Sequence, residues 1–139
     1  MSKTVMKYGE EEFDFLLIGI VSTFRDFRIC REVNKSLSLS LVRGDDYSIL
    51  DTKRNEELTF PFFDYVTEYE DQYCIIGNRS ENGVLIPERK QIDYFLVIKP
   101  GATPIEINNI SAELKKSHLI QAVFNIDPNE LRSRGNLLF

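Results

Sequence analysis

The chain has 139 residues, 42% of them hydrophobic and 28% charged, with ten Phe, six Tyr and no Trp. That is enough apolar material for one sizeable core and too much for a disordered regulator. The formal charge is -5, and residues 1–70 hold 14 acidic against 9 basic side chains whereas 71–139 hold 8 of each; a field of that sign repels phosphate backbones and argues against general nucleic-acid binding.

Residues 1–11 read as a loose polar segment without the apolar stretch of a secretory signal, and the apolar run at 15–21 is far too short to span a membrane. Residues 13–21 begin as an alternating strand and end as a continuous apolar one, the pattern of a strand near the middle of a sheet, with Gly19 admitting a close neighbour or a bend. Phe24, Phe27, Cys30, Val33 and Leu37 then form a helical stripe that predicts a helix over 24–37 lying on that sheet, opened by a capping box of Thr23 and Asp26.

Residues 43–46 read as a turn and 47–50 as a brief edge strand or helical turn. The aromatic segment 58–66 is interrupted by Pro61, which predicts an edge or bulged strand. After an acidic turn at 68–71 the chain returns as a strand over 72–78, turns at 79–83, and enters a second strong strand over 92–98. Thr103, Pro104 and Glu106 have the order of a capped helix start, with Ile107, Ile110 and Leu114 as its buried stripe. Residues 119–126 give a final strand and 127–131 a last helical turn. The expectation is a single α+β domain over 1–139: a mostly antiparallel sheet of five or six strands with two main helices packed on one face.

Ile86-Pro87-Glu88 followed after three residues by Ile92-Asp93-Tyr94 resembles the signature of the IPExxxVDY family of small Bacteroidetes proteins, with Ile92 in place of the valine. The 17–20 strand, the start of the first helix with Asn34 inside it, the 43–46 turn and the 131–139 segment fit the same pattern. The resemblance implies a cytoplasmic bacterial protein and carries over no mechanism or catalytic residue.

Glu88 and Asp93, five positions apart across a turn, are the first acid pair to weigh, since a cleft could bring them together for acid–base work. The structural alternative has Glu88 bonding exposed amides and Asp93 tied down by hydrogen bonds or by an arginine of the first helix. Tyr94 is expected to point away from Asp93 and to be core or part of an aromatic site. Arg28 and Glu32 have the spacing of a local ion pair, whereas Arg25, Arg28 and Lys35 can instead be read as a basic strip for an acidic peptide or a phosphorylated group. Cys30 and Cys74 read as free core thiols in a reducing cytoplasm. No metal, cofactor or nucleotide motif is recognisable. The 131–139 segment, ending in Leu137, Leu138 and Phe139, is expected to dock either on its own domain or on another chain. The expected function is a non-catalytic binding or accessory module that engages a protein partner or self-associates; the alternative is a small enzyme or ligand-binding domain around Glu88 and Asp93.

Overall fold

A computed structural model describes residues 14–102 and 104–137. The protein is an α+β fold whose main sheet has, among the described residues, six antiparallel strands: β1 (Leu16–Val21), β2 (Val42–Arg43), β5 (Phe62–Val66), β6 (Gln72–Gly77), β7 (Tyr94–Lys99) and β8 (Ala122–Ile126). Their spatial order is β2-β5-β6-β7-β1-β8, and β3 (Tyr47–Asp51) with β4 (Glu56–Phe60) forms a separate two-stranded sheet. The helices are α1 (Asp26–Leu37) and α2 (Ile107–Lys115).

Strand alternation divides the core into two layers. Ile18, Ile20, Ile75, Leu96 and Ile98 face Ile29, Cys30 and Val33 of α1 and Leu114 of α2, so both helices lie on one face. Leu17, Cys74, Ile76, Phe95 and Val97 face the other way, where the β3–β4 hairpin, residues 85–92 and the 131–137 segment cover them. Two helices thus close one side, and a hairpin with irregular chain closes the other.

Pro61 separates β4 from β5. Lacking an N–H, it cannot continue the ladder, and the aromatic segment expected to be one interrupted strand is instead two strands in two sheets. The corner is pinned by Gly77, whose amide donates to the Pro61 carbonyl at 3.0 Å. Gly19 admits a close neighbour: a Cβ there would stand 2.8 Å from Cδ1 of Ile92 and 3.0 Å from Cδ1 of Ile126.

Both helices start later than their capping patterns suggest. The residue before α1 is Arg25, with no side-chain cap, and the Asp26 carboxylate accepts the Phe27 amide at 2.8 Å. The residue before α2 is Glu106, also without a side-chain cap; Thr103 lies outside the described residues. Burial of Ser111 and Leu114 holds α2 in place rather than an optimal start.

Candidate functional site

The first helix carries the largest departure from the sequence pattern. Its buried residues are Ile29, Cys30 and Val33, whereas Phe27, expected on the sheet, is 59% exposed. Each step of three residues falls short of a full turn by about 60°, so Phe27 lies about 120° around the helix from the buried Val33, and Phe24 precedes the helix altogether. Phe27 therefore stands on the outward side with Arg28, Arg31 and Lys35. These four residues, Glu32 and Leu119 line a groove of about 800 Å³.

The charges in this groove are unevenly satisfied. The Arg28 guanidinium lies over the Phe24 ring at 4.9 Å, a favourable cation–π arrangement. The expected Arg28–Glu32 pair does not form; the Glu32 carboxylate instead accepts the Ser117 hydroxyl, across to the turn after α2. Among the described residues no carboxylate pairs with Arg28, Arg31 or Lys35. Arg43, by contrast, is held by Asp26 at 3.6 Å and by Asp46.

Asp93 has the partners that a half-buried carboxylate requires. Its Oδ2 accepts the Ser22 amide at 2.9 Å, and its Oδ1 accepts Nε and Nη2 of Arg79 at 3.3 and 3.2 Å. The arginine thus comes from the loop after β6 and not from α1. Arg79 is anchored in turn, donating to the Lys90 carbonyl at 2.6 Å. Ser22 continues the tie by donating from its hydroxyl to the Leu119 carbonyl at 2.7 Å.

Tyr94 borders the same cleft as Asp93, a space of about 580 Å³ that Arg25, Asp26, Ser22 and Arg79 also line. Tyr94 is the first residue of β7, and the backbone of Asp93 just before it bonds to Ile20 on one side and Asn78 on the other. The Tyr94 hydroxyl donates to the Phe24 carbonyl at 2.7 Å. Burial, then the nearby Asp26 and Asp93 carboxylates, push this phenol up to about 12 against a smaller opposing effect of Arg25, so it stays protonated as a donor.

Glu88 does not line that cleft. It follows Pro87 in a single 3-10 turn, Pro87–Arg89, and its two oxygens accept the amide and the hydroxyl of Ser133, each at 2.8 Å. Burial alone would raise its pKa, but the hydrogen bonds from the Ser133 amide, its own amide, the Ser133 hydroxyl and the Arg132 amide together hold it below the ordinary glutamate value. The 131–137 segment is further held by Asn136 Nδ2 donating to the Leu85 carbonyl at 2.8 Å and by the burial of Leu131 and Leu137. As far as Leu137, this segment docks on its own domain; Leu138 and Phe139 lie outside the described residues.

Asn78 is the residue that sequence reasoning missed. Fully buried after β6, its Nδ2 donates to the carbonyls of Arg89 and Ile92 at 3.0 and 2.8 Å, and its Oδ1 accepts the Ile86 amide at 2.9 Å. It fixes the loop between Ile86 and Asp93 from inside. The motif residues are likewise engaged: Ile86 and Ile92 are core, Glu88 holds Ser133, Asp93 holds Ser22 and Arg79, and Tyr94 holds Phe24.

Cys30 and Cys74 are free and buried. Burial, reinforced by Asp26, pushes the Cys30 thiol up to about 11; burial and then Asp64 push Cys74 up to about 12. Neither is an activated nucleophile. Among the described residues no group of acidic, histidine and cysteine side chains is placed to hold a metal ion, and no helix is long and apolar enough to cross a membrane. No family model, curated protein or solved structure matches the chain.

Proposed function

We propose that this protein is a non-catalytic cytoplasmic module that holds a protein partner on the outward side of α1. The observation that carries the reading is Phe27, a large apolar ring 59% exposed beside three cations that no carboxylate of the described chain neutralises. Exposed aromatic and arginine side chains in one depression have the composition of a binding hot spot.

The competing enzyme reading needs Glu88 and Asp93 on one cleft. Its support is weaker, because the two carboxylates serve separate structural ties, one to Ser133 and one to Ser22 and Arg79. The Ile86-Pro87-Glu88 and Ile92-Asp93-Tyr94 pattern supports membership of the IPExxxVDY family as part of the same proposal. On this reading the motif builds the scaffold, and α1 displays the contact.

A photo-crosslinking phenylalanine analogue in place of Phe27, compared with the same analogue at the exposed Phe124 of β8, tests the site in the cells that make the protein. The expected result is a discrete protein adduct from position 27 that position 124 does not give. Identical adducts, or none, from position 27 would remove α1 as the contact.

A further inference from the structure

We infer that the groove along α1 takes an acidic, amphipathic segment of a protein partner about two helical turns long, with Phe27 as the apolar anchor and Arg28, Arg31 and Lys35 as carboxylate partners. This rests on the binding-module reading and specifies its partner. The length follows from helix geometry: Phe27, Arg31 and Lys35 recur every four residues and form one ridge, which at 1.5 Å per residue runs for about 12 Å. A helix laid along that ridge meets it with side chains from about two of its own turns.

The sign of the partner follows from what the groove withholds. Among the described residues Glu32 is its one lining carboxylate, and the Ser117 hydroxyl draws it toward the turn after α2. That leaves the three cations facing outward, on a chain whose formal charge is -5. A local reversal of charge favours a short anion over a long one, because exposed charges beyond about 8 Å are screened at physiological salt while a polyanion still meets the acidic remainder of the surface. Phosphates also gain nothing from the ring of Phe27 or from the half-buried Leu119 between α2 and β8. Carboxylates grouped around one or two apolar residues match both parts of the groove. A second copy has a patch of that chemistry in the turn after β5, where Val66 and Tyr69 are exposed beside Glu68 and Glu70, so the test must separate it from a different protein.

The probe is a fluorescein-labelled synthetic helix of leucine and glutamate, read by anisotropy against its glutamine-for-glutamate counterpart and against a labelled single-stranded oligonucleotide. The full chain is compared with the triple variant Arg28→Glu, Arg31→Glu, Lys35→Glu and with Phe27→Ala, all at exposed positions, with circular dichroism confirming the fold. The expected result is binding of the glutamate helix alone, at least about tenfold weaker in the triple variant and severalfold weaker in Phe27→Ala, with the salt dependence lost only in the triple variant. Equal binding by wild type and triple variant, tighter binding of the oligonucleotide, or a concentration-dependent dimer abolished by the triple change would each overturn the inference. The crosslink at position 27 keeps the two readings apart. An adduct that survives the triple change sinks the acidic partner and leaves the module; no adduct sinks the module.

Discussion

Asn78 shows how one amide can organise a loop that has almost no regular structure. Truncation to alanine would leave the Ile86 amide and the Arg89 and Ile92 carbonyls without their partner in the interior. Because each buried unsatisfied group costs roughly 1–3 kcal/mol, Asn78→Ala is expected to cost about 3 kcal/mol, measured as a shift in urea midpoint; a loss under about 0.5 kcal/mol would mean that water replaces the side chain. Glu88 makes a different prediction. Its folded pKa lies below the ordinary value of 4.5, so its ionised form stabilises the native state. That contribution is fully present above the ordinary value and is lost as pH falls through the lower folded value. Glu88→Gln should therefore be less stable than wild type at neutral pH, with the gap closing below about pH 4.5, read from denaturation curves at each pH. A constant gap would place the effect in packing instead. The role of Asn78 was not legible in the sequence, where it closes a strand; that Glu88 bonds backbone amides was anticipated, but its partner Ser133 lies 45 residues away and no local pattern points to it.

Among the elements, legibility followed local physics. Strands β1, β6 and β7 were readable because continuous apolar runs are buried on both faces. The outward turn of Phe27 was concealed by equal three-residue spacing, which drifts by about 60° at each step and so leaves Phe27 about 120° around the helix from Val33. Pro61 announced a break, but only tertiary placement reveals that it sends β4 into another sheet. Close approaches between elements give an ordered prediction. An alanine Cβ at Gly101 would press on the Tyr69 carbonyl oxygen and stand 2.8 Å from the Glu70 carbonyl carbon, both backbone, whereas at Gly19 its nearest contact is the end of the Ile92 side chain at 2.8 Å. Side-chain ends can shift and backbone in a tight turn cannot, so Gly101→Ala is expected to lower the melting temperature clearly more than Gly19→Ala. The reverse order would show that the turn after β5 yields more readily than the core.

At the scale of the molecule, the two faces of the sheet differ in how they are closed. Both helices cover one, while the other depends on the β3–β4 hairpin, residues 85–92 and the 131–137 segment. Removing residues 131–139 would take Leu131 and Leu137 out of the apolar layer that also holds Leu85, Ile86 and Phe95. Loss of two buried leucines alone implies about 4 kcal/mol or more, a large part of the stability of a domain this size. The shortened chain is expected to melt far lower and to bind a hydrophobic dye; an unchanged melting curve would show that this segment is dispensable to the fold.

Strand β1 sits between β7 and β8, so Leu17 is paired with Val97 on one side and Ile126 on the other. On the ribosome, the first strand therefore emerges long before either neighbour exists. Until then its isoleucines and leucines have no ladder to join, and they depend on chaperones or transient local collapse to escape wrong pairings. Completion of the sheet waits until β7 and β8 have both emerged, and the interval before it is when the nascent strand is most open to aggregation.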